Sequence, residues 1–307
     1  MDSVKNSAFP LVVNWHITET CNYSCNGCYA KWGHLPEAWK KTSNIRKVIE
    51  NVAGYYRTHY GAESAPWRLS VVGGEPILFQ ERTWFTVETA ASLGADVSII
   101  SNGSHLENIF PFAEKLSQVG ISLDSFDEKT NVKIGRHCHG KTLSYEEIAR
   151  KVQELLSINH KIRIKVNTVV NRHNFDEILV DKVAALGASK YKILRQVPFG
   201  GCEGITDDQF RQFLSNNFRE DLFASDGFDQ HVFVEDSAAM KGSYLMIAPD
   251  GRLFQNGDGS DYRYSRPLMD IPFDVALQEV GFSAEKFENR YNSVATDAII
   301  KKMKSVA

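Results

Sequence analysis

Cys21-Asn22-Tyr23-Ser24-Cys25-Asn26-Gly27-Cys28-Tyr29 is the stretch on which the reading of this chain turns. Its three cysteines stand at C-x3-C-x2-C spacing and follow Leu11–Ile17, a short apolar run that reads as a strand. Three thiolates can each hold one iron of a [4Fe–4S] cube, which leaves the fourth iron open to a ligand. Two other readings compete. One is structural zinc with His16 or His34 as the fourth ligand, although zinc sites more often pair two C-x2-C knuckles and no second knuckle follows. The other is a set of buried free thiols.

Outward from this loop, strand-like and helical runs alternate. The strand candidates are Leu11–Ile17, Trp67–Val72, Ala95–Ser101, Val119–Asp124, Ile162–Val170 and Tyr191–Gln196. The helical ones are Thr42–Tyr60, Phe79–Leu93, Glu107–Leu116, Tyr145–Ile158 and Asp176–Leu186, with Gly94, Gly120 and Gly187 read as C-caps. Repeated βα units imply a parallel sheet, either open or closed into a barrel. The strands alternate with period two, where buried parallel strands should be apolar throughout. Asn14 and His16, Arg68 and Ser70, Ser122 and Asp124, and Arg163, Lys165 and Asn167 share one polar face. Lys192 falls between Tyr191 and Ile193, in a strand whose start is uncertain. A polar face on a βα array predicts an open barrel with a wet, ligand-filled interior. Arg68, Lys165 and Lys192 converging there in a chain of net charge -3 predict an anionic ligand, because unpaired buried cations are costly. The competing reading is internal pairing with Asp124 or Glu75.

After Gln196 the pattern changes. Pro198-Phe199-Gly200-Gly201 interrupts it, a helix-like stretch runs over Asp207–Phe223, and Asp250-Gly251 marks a hairpin between Ser243–Pro249 and Arg252–Gln255. The predicted division is residues 11–196 as barrel and 197–307 as an extension packed on it and closing its site. The 307 residues are 43% hydrophobic, which allows a sizeable core. The net charge of -3 supplies no basic field for nucleic acid. No apolar run is long enough for a membrane span, and Met1–Pro10 has no signal-peptide pattern, so a cytoplasmic location is expected. Five cysteines, three of them clustered, do not read as a disulfide framework. Cys138, between His137 and His139, and the lone Cys202 read as loop residues, not as an auxiliary cluster.

Gly73-Gly74-Glu75-Pro76 ends the second strand, Ser101-Asn102-Gly103 the third and Ile121-Ser122-Leu123-Asp124-Ser125 the fourth. Each is an ordinary turn or helix cap when read alone, but all lie at C-terminal strand ends, where α/β folds bind ligands. The cysteine loop followed by this GGEP resembles the radical S-adenosylmethionine (SAM) enzymes. Asp96–Ser104, Ile121–Asp127 continuing through Asn131–Arg136, Lys165–Arg172 and Met240–Leu245 are similar to the viperin family.

That resemblance implies an α/β fold: a partial (βα)6 TIM-like barrel of the radical SAM type with a C-terminal extension. It implies an antiviral-defence lyase that converts a ribonucleoside triphosphate (CTP, UTP or GTP) to its 3′-deoxy-3′,4′-didehydro analogue by taking the ribose 4′ hydrogen. A [4Fe–4S] cluster on Cys21, Cys25 and Cys28, SAM, and an electron donor such as a flavodoxin or ferredoxin come with it. By matching position, Ser122 and Arg136 would contact the SAM carboxylate. Tyr29, Gly73, Gly74, Glu75, Pro76, Ser101, Asn102 and Val169 would complete the SAM site, the glycines letting backbone approach the ligand. Asn14, Arg68, Lys165, Asn167 and Lys192 would line the nucleotide site, and Tyr291 would approach the base. Arg68 stands where the family has lysine, and the family's glycine-rich tail is replaced here by Arg290-Tyr291-Asn292-Ser293. The family's N-terminal membrane helix has no counterpart here, so no membrane or nucleic-acid partner is expected. Residues from Phe287 to Ser305 are expected to be mobile without ligand. The alternatives are a radical SAM enzyme acting on a peptide or cofactor precursor, and a non-catalytic, zinc-stabilised nucleotide sensor.

Overall fold

A computed structural model describes residues 11–30, 33, 35–60, 65–196, 198, 202–219, 232–236, 242–256, 262–291 and 301. Within them six βα repeats run in chain order. The strands are β1 (Val12–His16), β2 (Arg68–Val72), β3 (Asp96–Ser101), β4 (Gln118–Ser122), β5 (Arg163–Val170) and β6 (Ala188–Arg195). Between them lie α1 (Thr42–His59), α2 (Gln80–Ser92), a 3-10 segment Leu106–Lys115, α3 (Glu128–Ile134), α4 (Tyr145–Ile158) and α5 (Val180–Ala185). The second part of the chain adds α6 (Asp207–Asn217), β7 (Val232–Glu235), β8 (Leu245–Ile247), β9 (Arg252–Asn256), β10 (Tyr262–Pro267), α7 (Phe273–Val280) and α8 (Ala284–Tyr291).

All six predicted strands form, each parallel to the next. Leu69, Val71, Val97, Ile99, Val119, Ile121, Ile164 and Val166 turn one face of the sheet into the main core, packed under the helices. The opposite face carries the polar set, as the period-two alternation predicts. The sheet has ten strands in the order β10-β9-β8-β1-β2-β3-β4-β5-β6-β7. β7 therefore adds to the β6 edge and β8 to the β1 edge, both in parallel. The expected boundary at residue 196 falls inside one continuous sheet. The predicted hairpin pairs β8 with β9, with Gly251 at φ 82° in its turn.

Several expected bounds shift for local reasons. Gly120 is not a helix cap; it sits within β4, where a side chain would press on Ile100 and Asn167. Gly94 and Gly187 do take the left-handed conformation after α2 and α5. The Glu107–Leu116 run is a kinked 3-10 segment because Pro111 cannot continue an α-helix. α6 stops at Asn217, whose side-chain oxygen accepts from Leu179 and Val180 N–H (2.7 and 3.1 Å) and so caps the start of α5. That cap also explains why α5 begins at Val180 and not at Asp176. Phe287, expected in a mobile tail, is buried in the core on α8 beside Phe282.

Candidate active site

The cysteine loop is clamped on two sides. Strand-like pairing continues past β1 and β2: Ile17 N–H bonds Val72 O (2.9 Å), Gly74 N–H bonds Thr18 O (2.7 Å) and Glu75 N–H bonds Thr20 O (2.8 Å). A Cβ on Gly73 would lie 2.6 Å from Thr18 O, and one on Gly74 2.2 Å from Thr20 O. The two glycines are thus required by the backbone leading into the cysteine loop. On the other side, Asn26 N–H bonds Ile134 O (2.9 Å), Asn26 Nδ2 bonds Lys133 O (2.8 Å) and Ser24 N–H bonds Gly135 O (3.3 Å). Gly135 ends α3 at φ 85°, and a Cβ there would lie 2.5 Å from Ser24 O.

Cys21 is exposed, and Cys25 and Cys28 are half-buried. Cys21 Sγ accepts from Tyr23 N–H (3.4 Å) and faces Asn102 Nδ2 at 3.8 Å. Burial pushes the Cys21 thiol up to about 11 and raises that of Cys25 as well. His16 is buried between the rings of Tyr29 and Phe254, each centroid 5.6 Å away, and burial lowers it to about 3, so it is neutral. His34 lies outside the described residues.

Glu75 is fully buried beside this loop. Its Oε2 accepts from Asn102 N–H at 2.6 Å, while Oε1 has no hydrogen-bond partner. Burial pushes its carboxyl up to about 7. A buried orphan carboxylate oxygen is costly alone and well matched to an incoming ammonium group. Asn102 braces the arrangement through Asn22 Oδ1 (2.8 Å) and Ser104 N–H (2.9 Å). Ser101 Oγ accepts from Gly103 N–H (2.9 Å) and its hydroxyl favours the charged form of Glu75, while Pro76 opens the 3-10 turn Pro76–Leu78.

A second network lies at the ends of β4 and β5. α3 is capped at its start by Asp127, which accepts from Thr130 N–H (2.7 Å), and at its end by Gly135. The left-handed turn at Gly135 delivers Arg136 back toward β4, where its Nε bonds Asp124 Oδ2 and its Nη1 bonds Ser122 O at 3.0 Å. Asp124 Oδ1 accepts from Val169 N–H at 2.8 Å, and Val169 O accepts from Asn171 Nδ2 and Asn174 Nδ2 (3.0 and 3.1 Å). The backbone of Val169 is thus committed to protein partners. Burial disfavours the Arg136 charge, but Asp124 and Cys25 outweigh it and raise its pKa.

The polar sheet face carries a staircase of side chains. In register from the strand starts, Val12, Arg68 and Asp96 form one row, and Asn14, Ser70, Ser98, Gln118 and Arg163 the next. Gly120, Lys165 and Lys190 share the third, and Ser122, Asn167 and Lys192 the fourth, nearest the cysteine loop. Lys192 joins this face because β6 starts at Ala188 and slips one residue between its pairings with Ile164 and Lys165. The expected convergence of Arg68, Lys165 and Lys192 as unpaired cations is corrected. Arg68 is bound by Asp96, to which Arg163 Nη2 also extends at 3.8 Å. Lys192 Nζ lies 2.6 Å from Glu235 Oε1 and 2.6 Å from Tyr244 Oη, which itself donates to Glu235 Oε2. The counter-charges are Asp96 and Glu235, not Asp124 or Glu75. Asn14 Nδ2 reaches Leu245 O at 3.4 Å. Tyr291 is the last residue of α8, and its side chain lies outside the described residues.

Sequence reasoning gave no site role to Asp96, Gly135, Glu235 or Tyr244, and offered Asp124 as a partner of the interior cations and not of Arg136. Asp96 was legible as the first residue of the third strand on the Arg68 face. Glu235 carried no signal and Tyr244 only that of its family-like stretch, since only the sheet order brings β7 and β8 to the two flanks of the barrel.

Comparison with known proteins agrees with this geometry. The profile described as the radical SAM superfamily matches residues 15–183. An S-adenosylmethionine-dependent nucleotide dehydratase of Fibrobacter sp. (strain UWH6) is 49% identical over 94% of this chain and 90% of its own length. The enzyme of the same name from Psychrobacter lutiphocae is 36% identical over 92% of this chain and 94% of its own. S-adenosylmethionine-dependent nucleotide dehydratase RSAD2 of Oncorhynchus mykiss is 28% identical over 92% of this chain and 80% of its own. In fold, the chain is similar to anSMEcpe with bound AdoMet and Cp18Cys peptide (TM-score 0.63, 13% identity, 93% of this chain and 84% of that one). It is also similar to Streptococcus suis SuiB bound to S-adenosylmethionine (TM-score 0.61, 11% identity, 91% and 67%).

Proposed function

Because the chain belongs to the radical SAM superfamily and, within it, to the S-adenosylmethionine-dependent nucleotide dehydratases (the viperin family), we propose that it removes the 3′-hydroxyl of a ribonucleoside triphosphate after loss of the ribose 4′ hydrogen. It is a radical SAM enzyme whose cofactors are a [4Fe–4S] cluster and SAM. The observation that carries the substrate reading is the pairing of two features on one barrel: a clamped three-thiol loop with an orphan carboxylate oxygen beside it, above a polar face stepped with cations.

When bound, the cluster and SAM supply a carbon radical able to take hydrogen from an unactivated ribose carbon. The chain's own residues bind and orient. Cys21, Cys25 and Cys28 hold the cluster. Glu75 accepts the ammonium group of SAM on its free Oε1, and Arg136 with Ser122 takes the carboxylate. Tyr29, Asn102 and the side chain of Val169 complete that pocket, while Gly73, Gly74, Pro76 and Ser101 keep its walls in place. Arg68, Lys165 and Lys192 bind the triphosphate, with Asn14 and Asn167 as neutral donors on the same face. Asp96 and Glu235 neutralise two of these cations until the phosphates arrive. The ribose is then the part of the nucleotide left between the two anchored ends, within the roughly 3–4 Å that hydrogen transfer needs.

We assign residues 11–196 to the barrel and 197–307 to an extension that closes the substrate site, with Tyr291 near the base. CTP, UTP or GTP is the substrate, a flavodoxin or ferredoxin the electron donor, antiviral defence the role and the cytoplasm the location. No helix among the described residues is long and apolar enough to cross a membrane.

The test is anaerobic turnover with SAM and each ribonucleoside triphosphate deuterated at the 4′ carbon. One deuterium should appear in 5′-deoxyadenosine, and the labelled nucleotide should lose that deuterium together with its 3′ hydroxyl, the mass of HDO. If 5′-deoxyadenosine forms in a substrate-dependent way while the label stays in the nucleotide, the proposed chemistry is wrong. Lys165→Ala should weaken triphosphate binding by about 1.5–3 kcal/mol, the scale of a charge-assisted hydrogen bond, with iron content unchanged. Equal binding of triphosphate and unphosphorylated nucleoside by the unaltered enzyme would remove the phosphate role.

A further inference from the structure

We propose that Asp124 is a positioning residue that fixes the guanidinium of Arg136 through Nε and leaves its terminal nitrogens to the carboxylate of SAM. The inference rests on the reading of Arg136 given above and adds the residue through which it works.

Asp124 is buried and spends every acceptor it has. Oδ2 takes Arg136 Nε, Oδ1 takes Val169 N–H at 2.8 Å, and its backbone oxygen takes Asn174 Nδ2 at 2.7 Å. It thereby joins the ends of β4 and β5 to the segment after α3. Arg136 presents five N–H donors in a rigid fork. Nε is committed to Asp124 and one Nη1 hydrogen to Ser122 O at 3.0 Å. Among the described residues, the remaining Nη1 and Nη2 hydrogens meet no protein acceptor. With Nε bonded to Asp124 and one Nη1 hydrogen to Ser122 O, the hydrogens left on the two terminal nitrogens are available to a carboxylate.

The neighbouring charges specify which carboxylate. Arg136 lies within electrostatic reach of both Glu75 and Cys25. The orphan Oε1 of Glu75 provides a place for an ammonium in the same electrostatic neighbourhood. An ammonium site and a carboxylate site that share one neighbourhood suit the α-amino-acid end of a ligand. An arginine side chain left to itself would sample many rotamers, and fixing it before the ligand arrives lowers the ordering cost of binding. Asp124 supplies that fixation and also keeps the buried guanidinium neutralised while the site is empty.

The experiment measures equilibrium binding to the cluster-loaded, unreduced protein, so that SAM is not consumed. Two ligands are titrated: SAM and decarboxylated S-adenosylmethionine, which lacks only the carboxylate. Asp124→Asn retains an acceptor for Val169 N–H but loses the charge that orients Arg136. It should weaken SAM binding by about 10- to 100-fold, the range for a hydrogen bond to a charged group, and leave the decarboxylated ligand within about threefold. In an Arg136→Met background the same change should have little further effect, because the two residues act as one unit. Arg136→Lys, which keeps the charge but cannot offer a fork while held by Asp124, should also lose the preference for SAM.

Equal weakening of both ligands by Asp124→Asn would reduce Asp124 to a support of the fold and overturn the proposal. So would full additivity with Arg136→Met, or an Arg136→Lys protein that keeps the preference. An unaltered enzyme that binds both ligands equally would instead overturn the reading of Arg136 itself, and the proposal with it.

Discussion

Glu75 shows what a single buried group costs and why it is kept. Burial raises its carboxyl from 4.5 to about 7, so the folded chain holds a proton between those values that the unfolded chain has released. Its stability contribution is therefore fully present below about pH 4.5 and is lost as pH rises through about 7. Glu75→Gln removes this loss. The cluster-free variant should be more stable than the parent by about 3 kcal/mol at pH 8, with little gain at pH 5. Urea denaturation at the two pH values checks this, and an equal gain at both would contradict it. The same variant should bind SAM more weakly, since an amide cannot pair with an ammonium as a carboxylate does. Glu75 was legible in sequence as part of GGEP, but its orphan oxygen was not, because only the fold decides that Asn102 satisfies one oxygen and nothing satisfies the other.

At the scale of elements, α3 is a short lever with both ends specified in sequence. Asp127 starts it, Gly135 stops it, and the stop serves both the cysteine loop and Arg136. Gly135→Ala forces a side chain into the left-handed region and against Ser24 O. The change should destabilise the chain by about 2 kcal/mol or more and lower the iron retained after reconstitution. Full iron content in a stable variant would separate α3 from the loop. The tail divides differently from its sequence-based expectation. α7 buries Phe273, Ala276, Leu277 and Val280 in the core, and α8 buries Phe287. A stop after Asp270 should thus prevent stable folding, because it removes all of these buried residues. A thermal melt of that truncation with a cooperative, parent-like transition would contradict this. The tail's polarity was visible in the sequence, but the burial of one aromatic in the eight residues of α8 depends on the core it meets.

For the molecule as a whole, the Lys192–Glu235–Tyr244 cluster links the two flanks of the barrel. β7 supplies Glu235 beside β6, and Tyr244 precedes β8 beside β1, at the other end of the six-strand run. Glu235→Ala removes a buried counter-charge and should destabilise the substrate-free chain by about 3 kcal/mol. Replacing Lys192 and Glu235 together by Met and Leu should cost much less, because no buried charge is left behind. Chemical denaturation of the three proteins tests this, and equal losses in single and double variants would deny the coupling. Triphosphate should protect the parent against denaturation and protect the double variant less at the same concentration.

By itself the sequence determined the six βα units, the polar and apolar faces of the sheet, the three-thiol loop and the family. These depend on local spacing and on period-two alternation, which neighbouring residues settle among themselves. Only the tertiary structure decided which charges meet. Asp96 reaches Arg68 across a strand pair, Glu235 reaches Lys192 from a strand added at the sheet edge, and Asp124 reaches Arg136 through a helix that turns back on itself. The pairing of buried charges depends on register and strand order, and both are set by contacts far apart in the chain.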